Sequence, residues 1–241
     1  MKRVFIVVEC LDYAFYEKCD TPNMDSLNLH PAWPLGVTTR ATAGAVLGGF
    51  LPTCLIKDCH RDKVNWHFFM SSLQREGIAF LPYINNGWVF DLFFPYISKQ
   101  MKEKILRWHG RHEYCPTPEM IDDFLRVERN LDNYIAIFWC MESHPPFYSE
   151  EWRGKDPRKT GIPPQERRKR SVEFIDRAIK PLLELDCELA LFGDHPLAHP
   201  GPGIGQTEFA AYLSGGKFSS HDFIVKLRSM KEILVPLAVR R

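Results

Sequence analysis

A three-layer α/β/α sandwich around one mainly parallel sheet is the fold class this sequence predicts, on three observations. Short apolar runs rich in β-branched and aromatic residues recur without the alternation of a half-wet strand, as strands buried on both faces do. Segments of helical pattern separate them. At 241 residues the chain is long enough to bury such a sheet in a single sizeable core.

In chain order, Val4, Phe5, Ile6, Val7 and Val8 form the first strand, closed by Glu9. Residues 41–50 and 64–76 read as helices, and a strand follows over 78–81. Two more helical patterns cover 98–108 and 118–130, leading to a strand at 134–139. A long helix over 164–185 opens on a proline, and strands at 188–192 and 209–213 complete the series. Two stretches read as surface excursions. One is 88–114, dense in aromatics near Phe90, Phe93, Phe94 and Tyr96; the other is 150–170, charged and broken by Pro157, Pro163 and Pro164. No internal repeat or low-complexity linker divides the chain, so residues 1–241 are expected to form one domain.

Composition narrows the class without naming a purpose. A hydrophobic fraction of 45% and a charged fraction of 25% are ordinary globular values. Lys and Arg total 31 against 30 for Asp and Glu, so no overall basic field gathers nucleic acid or anionic lipid, and an anionic substrate must be captured locally. The basic run Arg167-Arg168-Lys169-Arg170 has acidic neighbours and reads as one face of a solvated helix. Seven scattered cysteines with no CxxC pair suit reduced thiols, mostly small core residues, in a cytoplasmic protein. The apolar run after Met1-Lys2-Arg3 is cut by Glu9, too short for a secretion signal, and no stretch is long enough to span a bilayer. Neither nucleic acid nor membrane is an expected partner.

Chemistry concentrates where polar residues directly follow buried strands. Glu9 ends the first strand, Cys140, Glu142 and His144 follow Trp139, and Asp194-His195 follow Leu191-Phe192-Gly193. In a parallel sheet all three groups open onto one edge, where ligands collect. Carboxylate oxygen and neutral imidazole nitrogen on rigid backbone are what a divalent metal requires.

These pieces, in this order, resemble the alkaline phosphatase and sulfatase superfamily. Val4 to Glu9 is similar to its opening strand, with Glu in place of a metal-binding Asp. Thr21-Pro22-Asn23-Met24-Asp25-Ser26-Leu27 resembles the sulfatase-type segment after that strand, and it is the most specific piece. The stretch from Thr38-Thr39-Arg40 to Gly49-Phe50-Leu51-Pro52 resembles the nucleophile helix and its closing turn, and Gly193-Asp194-His195-Pro196 resembles the Ser-Asp-His-Gly metal motif. Glu142-Ser143-His144-Pro145-Pro146-Phe147 is similar to a segment near the substrate.

The resemblance implies an alkaline-phosphatase-like sheet, with Thr39 as metal-activated nucleophile and Thr38 or Thr42 as alternatives if the register differs. It implies one metal site of Glu9, Thr39, Asp194 and His195, suited to Zn²⁺ and open to Mn²⁺ or Ca²⁺. A second site would draw on His144 and His199, with Cys140 or Glu142 replacing the usual Asp. Arg40 and His144 are the implied substrate contacts. Threonine is not the residue converted to formylglycine, so phosphate mono- or diesters are expected ahead of sulfate esters: a small anionic ester is the expected substrate, and a hydrolase of the phosphodiesterase or phosphatase kind the expected activity. Glu9 for Asp, Pro196 for Gly and the short chain depart from the pattern. They keep open a second reading, a catalytically degenerate member that binds or scaffolds, with residues 88–96 as its partner surface.

Overall fold

The computed structural model describes residues 2–32, 75–84, 117–152, 155–194, 197 and 209–213. The strands are β1 (Lys2–Val8), β2 (His30–Ala32), β3 (Ala79–Ile84), β4 (Tyr134–Cys140), β5 (Glu188–Gly193) and β6 (Phe209–Leu213), joined in one sheet of order β2-β6-β5-β1-β4-β3. The run β3, β4, β1, β5 is parallel, and β6 and β2 add antiparallel steps at the β5 side. Between them lie α1 (Tyr13–Tyr16), α2 (Pro22–Asp25), α3 (Thr117–Glu128) and α4 (Pro164–Leu183).

Both faces of the central strands are shut off from water, as the uninterrupted apolar runs require. Alternation sends Val4, Ile6 and Val8 with Ala136, Phe138 and Leu191 into the core under α3 and α4, which contribute Met120, Phe124, Val172, Ile175 and Ile179. Phe124 meets Tyr134 and Phe138 edge-on, with ring centroids 5.4 and 5.3 Å away. The opposite residues Phe5, Val7, Ile137, Trp139 and Phe192 are buried too. Among the described residues β3 edges the sheet, where Pro82 can sit because its missing N–H breaks no inner ladder.

The predicted strands are present, with β1, β3, β4 and β5 longer than expected and β6 spanning the expected residues. The segment at 78–81 is shifted to Ala79–Ile84, because Pro82 and Tyr83 continue the pairing with β4. The helix expected at 118–130 runs Thr117–Glu128, and the one at 164–185 ends at Leu183, two residues past Pro181. β2 was not anticipated: three residues including a proline carry no strand pattern, and only pairing with β6 makes them one. The helices expected at 41–50 and 98–108, most of the one at 64–76, and the aromatic segment 88–114 lie outside the described residues.

Two expectations are corrected. The stretch 150–170 is not simply a solvated loop: it folds into two short 3-10 turns, Glu150–Trp152 and Pro157–Lys159, with Trp152 and Pro157 buried. Nor is the basic run one solvated face, because Arg167 and Arg168 are 8% and 7% exposed while Arg170 bonds outward to Glu166 and Glu151. Four consecutive residues span a full helical turn, so some must face the core. No described helix is long and apolar enough to cross a membrane.

Candidate metal centre

The site is built where β1, β4 and β5 end side by side. Val8 pairs with Cys140 on one flank and Gly193 on the other, so Glu9 and Asp194 each stand one residue beyond the last pairs. Glu9 is 1% exposed and Asp194 0%. Glu9 continues the ladder through its N–H to the Cys140 carbonyl at 3.0 Å, and its Oε2 accepts from Trp139 Nε1 at 2.6 Å. The Ser143 hydroxyl donates to the Glu9 carbonyl, tying the β1 end to the loop after β4.

After Glu9 the chain leaves its extended course. Cys10 has φ of 57°, a left-handed conformation that non-glycine residues adopt at a cost of about 1–2 kcal/mol. Neighbours hold it there. Its N–H donates to Asp194 Oδ1 at 2.8 Å, and its carbonyl accepts from Arg168 Nη2 at 2.6 Å. The same Arg168 nitrogen reaches Asp12 Oδ2 at 2.7 Å, and the guanidinium lies 3.8 Å from the centre of the Phe15 ring. Asp12 in turn caps α1 by accepting from the Phe15 N–H. Burial first, and then the Glu9 and Asp194 carboxylates, push the Cys10 thiol far above its ordinary value. Without a cation it is a protonated thiol.

Gly193 is required by this packing. A Cβ built there would stand 2.1 Å from the Leu11 carbonyl oxygen, so β5 and the Cys10–Leu11 turn approach each other at a distance only glycine permits.

The third wall is the loop after β4. His144 is half-buried, and its Nδ1 lies 2.8 Å from the Pro145 carbonyl. A carbonyl only accepts, so Nδ1 is the donor of this contact and Nε2 is the nitrogen left to ligate a metal. The loop is shaped by N–H bonds from His144 to Met141 and from Tyr148 to Glu142, and it contains a cis bond between Pro145 and Pro146. Donor atoms of Glu9, Cys10 and His144 all lie within 4.8 Å of one another.

Of the residues singled out from sequence, the structure brings Glu9, Asp194 and His144 to one edge. Thr39, Arg40, His195 and His199, with the alternatives Thr38 and Thr42, lie outside the described residues. The residues considered in place of an Asp at a second site have other work. Cys140 belongs to the helix-covered core, and Glu142, fully buried, accepts the Thr117 N–H at 3.0 Å and the Thr117 hydroxyl at 2.8 Å, anchoring the start of α3. The Thr21-Pro22-Asn23-Met24-Asp25 segment is α2, pinned to α4 by Asp176, which accepts from the Met24 N–H at 2.7 Å and Asn23 Nδ2 at 2.9 Å.

Sequence reasoning passed over Cys10, Trp139, Ser143 and Arg168. Cys10 had a legible signal, its place directly after a strand-end carboxylate. Arg168 had none, since its partners are more than 150 positions away in sequence.

No protein-family model and no curated protein matches this chain. Solved structures do. A protein in the alkaline phosphatase superfamily from Vibrio parahaemolyticus superposes with a TM-score of 0.58 at 12% identity, over 91% of this chain and 61% of that one. The integral membrane lipooligosaccharide phosphoethanolamine transferase A of Neisseria meningitidis gives 0.61 at 15%, over 93% and 51%. The lipoteichoic acid synthase LtaP of Listeria monocytogenes gives 0.58 at 10%, over 88% and 64%. This chain therefore spans less than two thirds of the length of each. At such identities the likeness is one of fold, and the fold is the alkaline-phosphatase-like α/β sheet that the sequence predicts.

Proposed function

We propose, with the alkaline-phosphatase-like fold as premise, that this protein cleaves phosphate esters using a divalent metal at the carboxyl edge of its sheet and Thr39 as nucleophile. The observation that carries the reading is that the donor atoms of Glu9 and His144, beyond β1 and β4, lie within 4.8 Å of each other, with the buried Asp194 one residue past the end of the adjacent β5. A buried carboxylate this close to an imidazole is a donor pair that a divalent cation satisfies, so the residues present fit a metal. Glu9 would hold it, and Asp194, His195 and Thr39 are the ligands the sequence resemblance adds. When bound, such an ion polarises the ester and offsets its negative charge.

The chain's own groups account for the rest. The Thr39 hydroxyl forms a bond to phosphorus as the bond to the leaving alcohol breaks; the proton lost by Thr39 goes to solvent, and the alcohol takes one up. Water then displaces Thr39 from phosphorus, releasing phosphate and restoring the hydroxyl. Arg40 binds the phosphoryl oxygens. An acceptor alcohol in place of water would turn the second step into a transfer. The phosphoethanolamine transferase among the structural neighbours favours keeping that reading beside hydrolysis.

The test is turnover of nitrophenyl phosphate, bis-nitrophenyl phosphate and nitrophenyl sulfate by the purified protein supplied with Zn²⁺, Mn²⁺ or Ca²⁺. Turnover of the phosphate esters that falls at least about 10³-fold in Thr39→Ala is expected. Absence of turnover with every ion overturns the enzyme reading in favour of a binding or scaffold protein.

A further inference from the structure

We infer that Glu9, Cys10 and His144 form a cation site with Cys10 as a thiolate ligand, which selects a thiophilic divalent ion of the zinc class over Mg²⁺, Ca²⁺ or Mn²⁺. It deepens the proposed function, since the metal concerned is the one placed at this sheet edge, and it rests on residues that the sequence resemblance does not use as a set.

The geometry begins with a reversal of side-chain direction. Were the chain to stay extended after Val8, Glu9 and Cys10 would point to opposite faces of the sheet. The left-handed turn at Cys10 breaks that alternation, and the thiol sulfur comes within 4.8 Å of both the Glu9 carboxylate and the His144 ring. Ligands about 2.0–2.3 Å from a tetrahedral ion are roughly 3.3–3.8 Å apart. Rotation of the two-methylene Glu9 arm and the half-buried His144 ring covers the difference. The extra methylene of Glu9, a departure where Asp is usual, supplies that reach.

The surroundings suit the chemistry. Trp139 Nε1 on Glu9 Oε2 orients the carboxylate, the Pro145 carbonyl engages His144 Nδ1 and leaves Nε2 to ligate, and Asp194 and Arg168 hold the Cys10 backbone from both sides. The Glu9 carboxylate and the Cys10 thiolate balance the charge of a divalent ion, with the imidazole neutral and Asp194 Oδ1 engaged by the Cys10 N–H. Binding is a proton exchange, not a redox step: the sulfur–hydrogen bond of Cys10 breaks, a sulfur–metal bond forms, and the proton leaves to solvent. Thiolate is a soft donor, which is why oxygen-preferring cations are disfavoured.

Co²⁺ titrated into the metal-stripped full chain reports the site directly, because thiolate ligation gives a near-ultraviolet charge-transfer band that oxygen and nitrogen ligands do not. The expected result is a band in the unaltered protein that Cys10→Ser abolishes, with Zn²⁺ affinity about 10²-fold lower or worse in Cys10→Ser and His144→Ala. Zn²⁺ should also protect the Cys10 peptide, read by mass spectrometry, from alkylation in the unaltered protein, a measurement that survives if Cys10→Ser does not fold. A band retained in folded Cys10→Ser, no band with Co²⁺ bound, or Cys10 alkylated equally with and without Zn²⁺ overturns the inference. Phosphoester turnover without Cys10 protection would sink this site and leave the enzyme reading standing. A Cys10-dependent band without turnover would do the reverse.

Discussion

Gly193→Ala would drive a methyl group into the backbone of the turn after β1. The new methyl carbon would sit 2.1 Å from the Leu11 carbonyl oxygen, 3.0 Å from the Leu11 carbonyl carbon and 3.2 Å from its Cβ. A comfortable carbon–oxygen approach is about 3.3 Å, so β5 and the turn after β1 must separate by about 1 Å. The two nearest atoms are backbone, so no flexible side chain absorbs the shift. Overpacking of this kind costs about 1–3 kcal/mol, and rigid backbone on both sides places this case near the upper end. For a chain of this size each kcal/mol moves the melting temperature by about 2–4 °C, giving an expected drop of roughly 6–12 °C in calorimetry or a circular-dichroism melt. The displaced segments carry Asp194 on one side and Glu9 and Cys10 on the other, so Zn²⁺ affinity should fall as well, by about tenfold or more. A melting temperature within about 1 °C of the parent, with unchanged Zn²⁺ affinity, would refute the close approach and the role given to Gly193.

Arg168→Met keeps the length of the side chain but leaves the Cys10 carbonyl and the Asp12 carboxylate without the guanidinium; removing one partner of such a buried pair costs about 3 kcal/mol or more, read as a comparable fall in thermal stability with weaker Zn²⁺ binding. Arg168→Lys, which returns charge without the planar fork, should recover less than half of that loss. For Asp176, burial raises the carboxyl above its ordinary value and outweighs the opposing hydrogen bonds from Met24 and Asn23. The folded state thus holds that proton more readily than the unfolded chain, so the contribution of Asp176 is greatest below the ordinary carboxylate range and is lost as pH rises through its raised value. The stability of the parent relative to Asp176→Asn, which does not titrate, should therefore decline with rising pH across that window, and a difference that is flat or grows would contradict the assignment.

Much of the fold was legible because fully buried strands announce themselves. The runs at Val4–Val8, Tyr134–Trp139 and Glu188–Phe192 contain almost nothing that could face water, and they became the adjacent β1, β4 and β5. β2 was invisible for the opposite reason, since three residues ending a loop become a strand only when β6 lies alongside. The aqueous reading of Arg167 and Arg168 failed because charge pattern along a sequence cannot register that Arg168 meets the Cys10 carbonyl and Asp12 carboxylate after β1, while Arg167 turns back onto the Ile162 carbonyl.

For the site, sequence alone determined which chemistry was at hand: carboxylates and a histidine set directly after buried strands, whose parallel course sends them to a common edge. Tertiary structure alone decided which of them meet and what each does. Glu142, equally acidic and two residues beyond the end of β4, is spent on the start of α3, while Cys10, read from sequence as one more small core residue, is turned toward Glu9 and His144. The physical reason is that strand periodicity predicts only the face a side chain occupies while the chain stays extended. The left-handed turn at Cys10 ends that regularity, and what holds the turn are Asp194 and Arg168, contacts that exist only once β5 and α4 are folded against β1.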